Sequence, residues 1–348
     1  MLEINEVNFP DDIFRKYIEE HFDQDCDGML SSDEIDKVTS INVNNKRSIQ
    51  SLKGIERFPN LQELDCSVTG ITSLDMTKNT KLKGFSCFGT GINSLDVSKN
   101  IVLERLYCGG TGITSLDVSN NPDLKRLECS NTRIQALDVS NNAALKGLYC
   151  QNTEITELDL INNPDLKRLD CWETQIKNLD VSQNTALTSL CCSETRITSL
   201  DVSQNTALKQ LWCTNTGITS LDVSKNIVLE RLYCKCTNIT ELDLSNNYAL
   251  TRLDCSETSI QSLDISKNTS LEILWCDNTP ITSLDVSNNL DLKGLDCSNT
   301  RVKSLDLSNN AALKGLYCQN TGITSLDVSQ NKELEFLYYH NPKLKVMR

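Results

Sequence analysis

The chain has 348 residues and a formal charge of −13, from 34 Lys+Arg against 47 Asp+Glu. That acidity argues against nucleic acid or an anionic membrane surface as a partner, since both present negative charge to the protein. At 39% hydrophobic residues the chain can bury a core, and no window approaches the ~18–20 consecutive apolar residues of a membrane helix. Sixteen cysteines in so long a chain, at such regular spacing, do not form the disulfide framework of a small secreted domain. The first residues, MLEINEVNFPDD, lack the basic and apolar regions of a signal peptide.

Residues 10–22, PDDIFRKYIEEHF, set Ile13, Phe14, Tyr17, Ile18 and Phe22 at helical spacing, with acidic residues in the first turn as the helix dipole prefers. The adjoining DQDCDGMLSSDE, Asp23 to Glu34, matches the DxDxDGx5E pattern of an EF-hand calcium loop at every side-chain ligand position. In that chemistry Asp23, Asp25 and Asp27 give monodentate oxygens, Gly28 permits the sharp turn and Met29 offers its carbonyl. Ser31 acts directly or through water, and Glu34 closes the sphere bidentately. The expected cofactor is one Ca2+. Residues 1–47 are thus expected to form a helical, EF-hand-like cap on the first coil of a repeat array.

From Leu61 a leucine recurs every 21 residues to Leu334 without insertion or deletion. Each unit reads LxxLxCxxTxIxxLDVSxNxx, as in LERLYCGGTGITSLDVSNNPD from Leu103 to Asp123. A single unit cannot bury that many apolar positions, so stacking is required. Alternating Leu and Cys have the period of a short strand with one inward face, and the polar half must turn the chain back. The pattern resembles a leucine-rich repeat, and among such proteins the bacterial internalins with 21-residue units in which Cys replaces a framework Leu. The run LKGIERFPNL, Leu52 to Leu61, is also internalin-like. The resemblance implies an α/β solenoid: a right-handed superhelix of about 14 coils over residues 48–348, with a parallel β-sheet on its concave face. One departure is Thr at position 9, from Thr69 to Thr321, where such repeats usually carry Asn. Its hydroxyl can bond the backbone in the same way. The blocks Asn120–Leu160 and Asn288–Val328 nearly match at a spacing of 168 residues, a sign of growth by duplication.

Stacking turns each position into a row. Cys66, Cys87 and their successors to Cys318 form one of thirteen thiols. In-register side chains keep their Cβ atoms near the strand spacing of about 4.8 Å, too far for the ~3.5–4.5 Å of a disulfide, so free buried thiols are expected. Asn79 to Asn331 should satisfy backbone groups where the chain bends. Asp75 to Asp327 set carboxylates about 5 Å apart, repelling by roughly 0.8 kcal/mol per adjacent pair in water. Backbone N–H bonds in Asx-type turns, at about 1.5–3 kcal/mol each, outweigh this.

Positions 3, 5, 7 and 8 vary freely and project from the outer side of the strand. Candidate ligand-binding residues there are Tyr107, Tyr149, Trp172, Trp212, Tyr233, Trp275 and Tyr317, with Arg105, Arg126, Arg168, Arg231 and Arg252. Exposed aromatic and Arg side chains are the types enriched in binding hot spots. Cys191 and Cys236 stand at variable positions, outside the thiol row. The only histidines, His21 and His340, lie at opposite ends, and no nucleophile–base pair appears, so an enzyme is not expected. The expected function is a monomeric recognition module that binds a protein or glycan on the concave face. The internalin resemblance implies a secreted or surface location in a bacterium. The alternative is a structural spacer about 65 Å long at strand spacing.

Overall fold

The computed structural model describes residues 1–342 and 344–348, in two compact units, Met1–Leu166 and Lys167–Arg348. Each unit is a leucine-rich-repeat solenoid whose coils each give one three-residue strand to the main sheet, and Ser325–Asp327 pairs in parallel with Lys345–Met347 in a small second sheet. In the first, strands run in parallel register from Ser40–Asn42 and Glu63–Asp65 to Gly147–Tyr149. In the second they run from Arg168–Asp170 to Gly315–Tyr317 and then Phe336–Tyr338. The sheet therefore begins at Ser40, ahead of the boundary expected near residue 48. Among the described residues the connections are turns, apart from the 3-10 helix Ile55–Arg57 ahead of the second strand.

The rows expected from the sequence form the frame. The framework Leu, Ile and Val are buried in most coils, and the thirteen thiols of the row carry no disulfide. The Cys66 thiol donates to the Ser86 carbonyl of the next coil at 3.3 Å, and Cys108 and Cys276 repeat the contact at 3.4 Å. Such a bond is weak, but it gives a small apolar side chain one polar partner in a dry interior. Thr at position 9 ties down the end of the strand: the Thr69 and Thr216 hydroxyls donate to the Cys66 and Cys213 carbonyls at 2.7 Å. Each Asn amide bridges two carbonyls of the preceding coil. Asn247 Nδ2 donates to Val223 at 3.0 Å and to Asn226 at 2.9 Å, with the side chain fully buried.

Asp at position 15 accepts the N–H two residues on, as Asp201 does from Ser203 and Asp222 from Ser224, both at 2.8 Å. These N–H bonds and the serine hydroxyls hold the carboxyls of Asp201 and Asp222 below the usual range.

Position 8 shows a constraint that periodicity does not reveal. Asn131, Asn152, Glu194, Asn215, Cys236 and Glu257 all have φ between 52° and 55°, the left-handed region. There the chain leaves the strand yet keeps one more rung, for example Cys236 N–H to the Ser256 carbonyl at 3.0 Å. Asn tolerates this conformation best among residues with a side chain, which accounts for its frequency at the position.

At the N-terminus, helix α1, Asp12–Phe22, is capped by Asp11, whose Oδ1 accepts from the Ile13 and Phe14 N–H groups. Its Oδ2 accepts from Gln50 and Ser51, tying the helix to the first coil. The rings of Phe9, Phe14, Phe22 and Phe58 pack at centroid distances of 5.9–6.2 Å and cover the first coil's apolar end. Gly54 is required beneath them: it sits at φ 106°, where a Cβ would run into the Phe9 ring.

Candidate functional site

Two places gather the residues singled out in the sequence: the loop after α1 and the outer side of the strands. The loop runs into helix α2, Ser32–Lys37, which opens with a reciprocal cap between Ser31 and Glu34. One carboxylate oxygen from each of Asp23, Asp25 and Asp27 lies within 4.8 Å of the other two. Asp23 is shaped from behind by N–H groups, accepting from Asp27 at 3.2 Å and Gly28 at 3.0 Å, with Gly28 at φ 80°. The Glu34 carboxylate accepts from Gln24 N–H at 2.7 Å and from Ser31 N–H and hydroxyl at 2.8 Å, which brings it back across the loop.

Met29–Leu30 pairs antiparallel with Leu2–Glu3, and Ile4 N–H donates to the Gly28 carbonyl. This register makes Glu3 and Met29 a non-hydrogen-bonded pair, so the Met29 carbonyl is not used by the ladder. Partial desolvation and the charges of Asp27, Glu34 and Asp23 push the Asp25 carboxyl up, while the Ser31 and Gln24 N–H groups hold Glu34 down. Converging carboxylates with a free backbone carbonyl are the hard-oxygen set that Ca2+ takes, so the residues fit that ion.

On the strand side, position 4 is buried and positions 3 and 5 are partly open. In the first unit, Arg105 reaches over Gly84 to Glu63 at 2.5 Å. Arg126 places its guanidinium over two tyrosine rings, 4.3 Å from the Tyr149 centroid and 5.7 Å from that of Tyr107. In the second unit, Trp212 and Tyr233 stack at 5.7 Å and 3°, and Tyr317 stacks on Tyr338 at 4.9 Å and 6°. These four rings partly satisfy one another, and lateral packing explains part of the aromatic bias. Trp275 differs: it is 40% exposed and stands between Asp254 and Asp296 on its two neighbouring strands. Trp172 and Arg231 are half-buried, and Arg168 and Arg252 project into solvent.

The acids that interrupt the rings at position 5, Asp65, Glu128, Asp170, Asp254 and Asp296, make the face Asp-rich as the sequence indicates, and the structure adds how far two of them are buried. Asp254 is only 8% exposed, and burial followed by the charge of Asp277 pushes its carboxyl up despite the hydroxyl and N–H of Ser256. Burial and Asp277 do the same to Asp296.

Burial and nearby Asp170 push the half-buried Cys191 thiol up to about 11. Cys236 donates to Glu257 at 3.2 Å, and Glu257 also pairs with Lys235 at 3.1 Å.

No family model matches the chain. A 72-residue stretch, 21% of the chain, is 37% identical to internalin J of Listeria monocytogenes serotype 4b (strain F2365) and spans 8% of that protein's length. Among solved structures, the functional domain of InlJ from Listeria monocytogenes, described as including a cysteine ladder, superposes with a TM-score of 0.94 at 35% identity. That match covers 99% of this chain and 76% of the other. The chain belongs to the internalin family of leucine-rich-repeat proteins. A second internalin, InlF of Listeria monocytogenes str. 4b F2365, has a TM-score of 0.76 at 20% identity over 100% of this chain and 97% of its own, a likeness of fold. The internalin-like leucine-rich-repeat fold is a recognition scaffold rather than an enzyme framework. Among the described residues no helix is long and apolar enough to cross a membrane.

Proposed function

We propose that this internalin-type domain is a recognition module, acting outside a bacterial cell, that binds a protein partner through the outer side of its strands. The observation that carries the reading is the contrast within each coil. Leu, Cys, Thr, Asn and Asp repeat as frame, while positions 3 and 5 vary and hold half-open Tyr, Trp and Arg side chains on a rigid ladder. Rigid aromatic side chains lose little entropy on binding, which suits them to anchoring a partner. Membership of the internalin family supports the extracellular placement. The test is capture on arrays of surface proteins and of glycans, comparing the native domain with a Trp212→Ala, Tyr233→Ala, Trp275→Ala variant. Protein ligands lost in the variant support the reading. Glycan-only capture would shift it to carbohydrate, and capture unaffected by the triple change, or none at all, would favour a spacer.

We further propose that Asp23, Asp25, Asp27, the Met29 carbonyl, Ser31 and Glu34 hold one Ca2+ that stiffens the cap. Saturating Ca2+ at about 100 times its dissociation constant would add about 2.7 kcal/mol to stability by linkage. Identical melting curves in Ca2+ and in chelator, with no heat of binding in titration, would remove the proposal.

A further inference from the structure

The duplicated blocks contain an internal comparison. On the outer strand face, Asn120–Leu160 and Asn288–Val328 differ at two positions, where Arg126 and Glu128 of the first block become Gly294 and Asp296 in the second. Both local arrangements have a ring, then an acid, then a ring on successive strands: Tyr107, Glu128 and Tyr149 in one, Trp275, Asp296 and Tyr317 in the other. The acids are held alike, since Glu128 Oε1 accepts from Ser130 N–H at 3.1 Å and Asp296 Oδ1 from Ser298 N–H at 2.9 Å. The tyrosines also lie alike, each leaning back over the glycine of its own strand, Gly147 or Gly315. In the first block the chain supplies its own cation, because Arg126 lies over Tyr149 at 4.3 Å. In the second, glycine stands at the position from which that arginine reaches, and among the described residues no cation sits over Trp275 or Tyr317.

We propose that the surface over Gly294, between Trp275 and Tyr317, receives the guanidinium of an arginine side chain from a protein partner, in the place that Arg126 takes in the first block. This rests on the reading of the strand face as a protein-binding surface and names the chemistry of one of its contacts. Charge complementarity agrees. Asp254, Asp277 and Asp296 surround the position of Trp275, and the nearby Lys235 is already paired with Glu257 at 3.1 Å. A planar guanidinium stacks on an aromatic face while its edge donates to carboxylates, a combination an ammonium matches less well. The exposed indole of Trp275 gives the stronger of the two faces, since Trp is the best aromatic partner for a cation.

The experiment titrates the whole domain with the peptide acetyl-Gly-Arg-Gly-amide, following the indole N–H signal of Trp275 by NMR and the stoichiometry by calorimetry. The lysine and the uncharged citrulline peptides are run beside it. The arginine peptide is expected to shift the Trp275 signal saturably, with the citrulline analogue about tenfold weaker. Gly294→Arg should abolish the response by filling the site from within. Its backbone is not in the left-handed region, and an added Cβ would ask Ile273 to give way from 3.0 Å. Arg126→Gly should raise the stoichiometry from one to two. Equal binding of the arginine and citrulline peptides, or tighter binding of the lysine peptide, overturns the proposal. So does a Gly294→Arg protein with a native melting curve that still binds. Should Gly294→Arg fail to fold, Asp296→Asn and Arg126→Gly decide: no weakening in the first and no second site in the other overturn it. If the triple-alanine variant loses its partner while Gly294→Arg titrates like the native protein, the strand-face reading stands and this one falls.

Discussion

Asn246 and Asn247 are neighbours in the chain with opposite fates, and replacing each by alanine isolates the worth of the asparagine row. Asn247 is fully buried and its amide holds the Val223 and Asn226 carbonyls at 3.0 and 2.9 Å. Asn246 is exposed and reaches only the Ser224 carbonyl at 3.4 Å. Asn247→Ala takes one of two donors from each carbonyl, since Val223 still accepts from Asn226 N–H at 2.9 Å and Asn226 from Leu229 N–H at 3.0 Å, so the loss is that of two hydrogen bonds at ~0.5–1.5 kcal/mol each, about 1–3 kcal/mol. Asn246→Ala should fall within about 0.5 kcal/mol of native. Asn247→Asp is more discriminating. Its carboxylate would face carbonyl oxygens, so its folded pKa lies above the unfolded ~3.9. A group raised on folding contributes stability below the unfolded value and loses it as pH rises, so this variant should recover toward low pH while the alanine variant does not. Because coils can open independently, denaturant melts should be accompanied by hydrogen exchange of the amides around Asn226 and Asn247. Equal stability of the two alanine variants, with no local rise in exchange for Asn247→Ala, would refute the account of the row as a carbonyl clamp.

Two other outcomes stem from the rows. The carboxyls of Asp201, Asp222 and Asp243, held low by N–H and hydroxyl donors, favour the folded state above pH ~4 and lose that contribution as pH falls through their folded values. Stability should therefore fall on acidification, and Asp201→Asn combined with Asp222→Asn should flatten the slope seen in thermal melts from pH 6 to 3. Asp254 and Asp296, raised by burial, act with the opposite sign and partly offset it. Among the thiols, native iodoacetamide labelling followed by mass spectrometry should mark exposed Cys26 first. Cys191, pushed up to about 11, should lag, and Cys87 and Cys213, pushed up to about 12 by burial, should react only after unfolding. Early labelling of the thiol row would contradict its burial.

Most of the frame was legible without coordinates because a strict 21-residue period leaves one way to cover its apolar positions. It placed the thiols inside, the asparagines at the bends and the aspartates in Asx turns, each a local consequence of spacing and donor chemistry. It also put Tyr107, Trp212, Tyr233 and Trp275 on one side of the strands, by strand alternation alone.

What spacing could not decide is which of those side chains neighbours spend on one another. Trp212 and Tyr233 stack, Arg105 is turned to Glu63, and Arg126 is laid on Tyr149, whereas Trp275 stays open between two acids. The left-handed conformation at position 8 was hidden for a similar reason. It comes from how the next coil's carbonyl receives the N–H, a relation between residues distant in the chain. Local order came from the repeat because each coil obeys the same short-range bonds. Which side chains stay open emerged only when coils of different composition were set side by side, since a side chain's availability depends on what its stacked neighbours leave uncovered.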